Sequence, residues 1–147
     1  MNDSKPILIS ACLLGVPCRY DGTGTADKRI LSLAETHHLV PVCPEQLGGL
    51  PPPRPPAERH DTRVLTRDER DVTAAFARGA EETLRLAKLF SCRIAILKAN
   101  SPSCGSGQIY DGCFCGRLIP GDGMTAALLK AEGLTVLSEK DDLASLL

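Results

Sequence analysis

The sequence predicts an α/β fold: a single-domain, three-layer sandwich. Its mostly parallel sheet has about four strands, with helices on both faces and a small added β-hairpin. Three observations carry this. Apolar runs of strand length occur at Ile7–Ile9, Leu39–Val42, Ile94–Leu97 and Leu134–Leu137. Stretches with helical apolar spacing separate them. Each of the first three runs ends in Gly, Pro or Ser turn chemistry that a strand cannot continue through.

In chain order, residues 6–11 form the first strand. The turn-rich loop Gly15-Val16-Pro17-Cys18-Arg19-Tyr20-Asp21-Gly22 then returns toward its end. Ile30, Leu31, Leu33 and Ala34 make an apolar stripe for a helix over 27–37. The second strand runs to Cys43 and breaks at Pro44-Glu45. Next comes Pro51-Pro52-Pro53-Arg54-Pro55-Pro56, five prolines in six residues, which reads as a stiff polyproline-type loop holding Glu45, Arg54 and Glu58 around the sheet's end. Its other reading is a protein-binding ligand. Residues 59–70 are polar, an exposed excursion with a short strand at Val64-Leu65. Asp71 or a neighbour caps the longest helix, which extends to about Phe90 with Val72, Phe76, Ala80, Thr83, Leu84 and Ala87 inward. The third strand, 93–97, leads into Lys98-Ala99-Asn100-Ser101-Pro102-Ser103-Cys104-Gly105. Residues 108–119, around Tyr110-Asp111-Gly112, alternate like a hairpin. A helix over 124–132 stops at Gly133. Leu134–Leu137 is the fourth strand, and 141–147 a terminal helical turn or two.

The 147 residues suffice for one core, read here as one domain over 1–147. A net charge of −1 favours neither nucleic acid nor a membrane surface. No apolar run reaches the roughly 20 residues a bilayer needs, and Met1–Pro6 lacks signal-peptide features. The expected compartment is the cytoplasm; oligomeric state stays open. Seven cysteines there argue for thiols, catalysis or metal rather than a disulfide framework.

Cys12, Cys43 and Cys104 each follow a strand, where open α/β sheets place their chemistry. If the three strands are parallel neighbours, the thiols converge. A zinc site would favour close pairs such as C-x-x-C, which the sequence lacks. A lone nucleophile at Cys104 would need a base, yet His37, His38 and His60 lie away from the strand ends. An iron–sulfur cluster takes thiolates far apart in sequence if the fold gathers them. Spacing alone leaves these three open, and a buried cysteine can also be an inert small hydrophobe.

The residues now support a resemblance. Ser10-Ala11-Cys12-Leu13-Leu14-Gly15 with Cys18-Arg19-Tyr20-Asp21-Gly22 resembles the opening of the thiouracil desulfidase (TudS-like) family, long known only as a domain of unknown function. Further blocks follow in order: Cys43-Pro44-Glu45, Gly48-Gly49-Leu50 and Pro53–Glu58; Asp71-Val72-Thr73 with Phe76; Lys98–Gly105 with Ile109–Gly112; and Gly121-Asp122-Gly123 leading to Thr125–Leu129. Together they span nearly the whole chain. The resemblance implies a [4Fe–4S] cluster held by Cys12, Cys43 and Cys104, with the fourth iron free for substrate sulfur and Cys18 as the alternative ligand. It implies a thiolated pyrimidine, 2-thiouracil, converted without net redox to uracil and sulfide. Cys92, Cys113 and Cys115 fall outside the family pattern and read as structural.

Within that reading, Glu45 is the base for water, its pKa raised by desolvation in a closed site; otherwise it is a surface carboxylate. Ser101 hydrogen-bonds the substrate or relays a proton, or it caps the turn. Arg19, Arg54, Asn100 and Tyr110 are weaker candidates for holding the ring, and Arg54 could instead pair with Glu58. Asp111 and Asp122 read as turn and cap residues. Two other classes compete: a cluster- or zinc-bearing sensor without turnover, and a transferase carrying persulfide on Cys104.

Overall fold

A computed structural model describes residues 6–143. The first strand, β1 (Ile7–Ser10), runs directly into a single 3₁₀ turn, Ala11–Leu14. Helix α1 (Lys28–Leu33) is capped by Asp27, whose carboxylate accepts the Arg29 N–H. Then come β2 (Leu39–Val42), the one-turn helix α2 (Pro44–Leu47), and the antiparallel pair β3 (Ala57–His60) and β4 (Arg63–Thr66). The long α3 (Thr73–Leu89) leads to β5 (Ile94–Leu97), and a second hairpin pairs β6 (Gln108–Tyr110) with β7 (Leu118–Pro120). Helix α4 (Met124–Ala131) and β8 (Thr135–Ser138) complete the chain's regular structure.

The main sheet has the order β2-β1-β5-β8, every pair parallel. This is the α/β architecture the alternation predicts. Because side chains of a strand alternate in face, Ile7, Ile9 and Ile96 pack with Ile30 and Leu33 of α1. Leu8, Ala95 and Leu97 instead pack with Ala87 of α3 and with Ala126 and Leu129 of α4. Three layers result. Pro41 sits in β2, an edge strand, where a missing ladder donor is tolerated.

The order reverses at β1. From β1 the chain steps outward to β2, then crosses back beyond β1 to β5 and on to β8. Crossovers leave the β1–β5 pair on opposite sides, which opens a crevice past the strands' carboxyl ends.

Several local expectations change. Helix α1 is shorter than 27–37: residues 34–36 close i→i−3 bonds instead, as in Ala34 N–H to Leu31 O. Pro44 begins a helix rather than a loop, because its missing N–H is costless at the first helical position. The proline run bends at 52–53 and ends by 56, since Ala57 and Glu58 belong to β3. The excursion at 59–70 is largely the β3–β4 hairpin, and Val64 is fully buried in it. Asp71 accepts the Thr73 N–H at the start of α3. Residues 141–143 are not helical, and the rest of the expected terminal turn lies outside the described residues.

Helices α2 and α3 meet at two glycines. A Cβ on Gly79 would stand 1.9 Å from the Pro44 carbonyl oxygen, and one on Gly48 would stand 2.0 Å from that of Ala75. Only glycine permits this approach, and it fixes the turn carrying Glu45.

Candidate functional site

At the carboxyl ends of β2, β1 and β5 lies a cavity of about 380 Å³. Cys12, Cys18, Cys43 and Cys104 all border it, with Glu45 and Ser101. Cys12 reaches it from the 3₁₀ turn after β1, and Cys43 from the residue that joins β2 to α2. Cys104 comes from the polar turn after β5, in which Ser101 Oγ accepts the N–H groups of Ser103 (3.0 Å) and Cys104 (2.8 Å).

The thiols sit in contrasting surroundings. Cys104 is buried, and its Sγ accepts a hydrogen bond from Ser10 Oγ at 3.5 Å; Ser10 Oγ in turn accepts the Lys98 N–H at 2.9 Å. Burial pushes the Cys104 thiol up to about 12, and the Ser10 bond only partly offsets this. Cys18 is pushed up to about 12 as well, by burial first and then by neighbouring Cys43. Burial also raises Cys12, against the pull of the Thr25 hydroxyl and the Lys98 charge. Cys43 is half-buried, and its Sγ–H donates to the Cys18 carbonyl at 3.6 Å. With their pKa raised, the Cys12, Cys18 and Cys104 thiols are protonated at neutral pH and poor nucleophiles. No histidine borders the cavity, so the dyad considered for Cys104 does not form.

Glu45 is 20 % exposed and meets a cation: Arg54 Nε donates to its Oε1 at 3.3 Å. The desolvated carboxyl anticipated from sequence is thus an ion-paired one. Arg54 also donates through Nη2 to the Cys18 carbonyl at 3.1 Å, while its buried Nη1 has no partner among the described residues. The alternative Arg54–Glu58 pairing is not formed among the described residues. Glu58 Oε1 instead accepts the N–H groups of Gly112 (3.0 Å) and Phe114 (3.1 Å). The weaker candidates Arg19, Arg54, Asn100 and Tyr110 all border the cavity.

The remaining cysteines lie elsewhere. Cys92 is buried in the α3–α4 layer. Cys113 and Cys115, read as structural, are exposed and joined to each other by a disulfide in the β6–β7 connection. Asp111 accepts the Cys113 N–H, as a turn residue, and Asp122 accepts the Gly107 N–H and pairs with Lys130.

Residues 7–141 match the model of the 2-thiouracil desulfurase family. The chain belongs to that family. It is 44 % identical over 145 residues to the uncharacterized protein YbbK of Bacillus subtilis (strain 168), covering 92 % of this chain and 96 % of the relative. A solved structure of a [4Fe–4S]-dependent thiouracil desulfidase, TudS, superposes with a TM-score of 0.90 at 46 % identity, covering 98 % of this chain and 95 % of that one.

This desulfurase-family chain offers a donor set suited to a cluster. Its cavity thiols come without imidazoles, the soft set that iron–sulfur centres take. A single tetrahedral zinc would hold its sulfurs about 3.8 Å apart. Among the described residues, the trio of ligand atoms lying within 4.8 Å of one another is Asp111, Cys113 and Cys115. The cavity thiols form no such close trio among the described residues. Among the described residues, Arg54 Nη1, a buried polar atom beside these cysteines, has no hydrogen-bond partner. Ser10 lies within a family block without an assigned role there, and Thr25 and Phe114 carry no signal in the sequence beyond proximity to a motif.

Proposed function

We propose that residues 1–147 form one cytoplasmic [4Fe–4S]-dependent desulfidase domain acting on thiolated pyrimidines. It would convert 2-thiouracil and water to uracil and hydrogen sulfide without net redox. One observation carries the reading: thiols at three adjacent parallel strand ends share a cavity with Glu45 and Ser101.

Cys12, Cys43 and Cys104 would hold the cluster, with Cys18 as the alternative ligand. When bound, the cluster supplies a thiophilic Lewis-acid iron that polarises the thiocarbonyl. Glu45 takes a proton from the attacking water at Oε2, the oxygen that Arg54 leaves unengaged. Arg54 keeps that carboxylate anchored through one oxygen. Ser101 Oγ already accepts two backbone N–H groups, so its remaining capacity is to donate. It hydrogen-bonds the substrate or passes a proton outward.

Anaerobic reconstitution followed by a sulfide-release assay on 2-thiouracil tests this. Brown, cluster-loaded protein that releases sulfide supports it. Colourless protein, or loaded protein that binds thiouracil without releasing sulfide, ends it.

A further inference from the structure

Phe114 stands at the tip of the β6–β7 connection with φ +58°, a left-handed conformation that bulky aromatic residues seldom adopt. Such a backbone persists only where its surroundings over-determine it. Here one carboxylate oxygen of Glu58 accepts both the Gly112 and the Phe114 N–H. Gly112 itself has φ +98°, and a Cβ there would stand 2.9 Å from His60 Nδ1, so the connection lies directly on β3. On the side-chain end, the Arg67 guanidinium carbon lies 5.4 Å from the Phe114 ring centroid. Phe114, Glu58 and Arg67 all border the cavity of the thiols. Nothing in the proton transfers assigned above uses an aromatic ring without a polar atom, yet Glu58 and Arg67 hold one there.

We infer that Phe114 is the stacking surface for the flat face of the thiolated base, with Glu58 as its positioning residue and Arg67 backing the ring. This rests on the desulfidase reading and specifies how that site selects its substrate class: planar, unsaturated thiopyrimidines over rings of the same polar edge that pucker. A guanidinium on one face of a phenyl ring leaves the other for a base, and base–aromatic stacking tolerates many ring substituents because every base has a π-face.

The test uses cluster-loaded protein under anaerobic conditions and two matched pairs of probes. The substrates are 2-thiouracil and 5,6-dihydro-2-thiouracil, which share C=S, C=O and N–H groups but differ in planarity. The non-reacting ligands are uracil and 5,6-dihydrouracil, read by equilibrium binding. The native protein should favour the planar member of each pair by about ten-fold. Phe114→Leu should erase that preference with the visible absorbance of the cluster retained, and Phe114→Tyr should keep it. Glu58→Ala should also lose it, whereas Glu58→Gln, whose amide oxygen still accepts both N–H groups, should restore it. An unchanged planar preference in Phe114→Leu overturns the inference; if that variant does not hold its cluster, an unchanged preference in Glu58→Ala does so. A native protein that desulfurates 2-thiouracil without any planar preference overturns it too. Native protein that neither releases sulfide nor binds uracil would sink the desulfidase reading itself, a distinguishable failure.

Discussion

The two walls of the cavity are held by different physics. The thiol wall is the edge of the main sheet: Cys12, Cys18 and Cys104 are buried, and Cys12 and Cys104 follow strands whose side chains fill the core. The opposite wall is made by the two hairpins, and a few polar contacts hold it: Glu58 on two N–H groups and Arg67 on Phe114. Between them Glu45 rides on a one-turn helix pressed onto α3. The positions of the proposed cluster ligands are thus set by topology and burial, which tolerate little adjustment. The wall assigned to the base is set by replaceable side-chain contacts.

The sharpest break in that comparison comes from the thiol wall. Cys12→Ser, Cys43→Ser and Cys104→Ser should each abolish cluster absorbance and sulfide release. Cys18→Ser should retain both; if it loses the cluster while one of the other three keeps it, the ligand set must be redrawn. Next, Glu45→Gln should lower kcat by about 10²- to 10⁴-fold with cluster absorbance intact. A loss of absorbance instead would place Glu45 in the cluster's support.

Alkali probes the burial directly in cluster-free protein. Cys18 and Cys104 have thiols raised from 9.0 to about 12 in the folded state. Between those values the unfolded chain releases protons that the folded chain keeps, so folding stability falls as pH rises from about 9 toward 12. Thermal unfolding against pH should show this decline, and serine at either position should reduce it. Smallest of all, Gly79→Ala should cost about 1–3 kcal/mol by crowding the Pro44 carbonyl. It should also weaken sulfide release, because α2 carries Glu45. Destabilisation with full activity would mean that the α2–α3 contact does not position the carboxylate.

Much of this was legible in the chain. The strand runs that end at Ser10, Val42 and Leu97 are visible because a core-facing strand must be apolar throughout and a turn must not be. The placement of Cys12 and Cys43 just past their strands, and of Cys104 in the turn after β5, follows from the same pattern. Helix α2 was missed, since one turn offers too few residues for a periodic signal. The extent of α1 was overstated, since its last residues tighten into i→i−3 bonds that periodicity does not distinguish.

By itself, then, the order of residues determined which stretches are strands, which are helices and which cysteines stand at strand ends, because local patterning and turn chemistry are properties of neighbours. Tertiary structure alone decided that Arg54 answers Glu45 and not Glu58, and that Glu58 holds the Phe114 backbone. Those choices depend on distances across 9 to 56 positions of chain, and only packing the sheet, helices and hairpins together sets such distances.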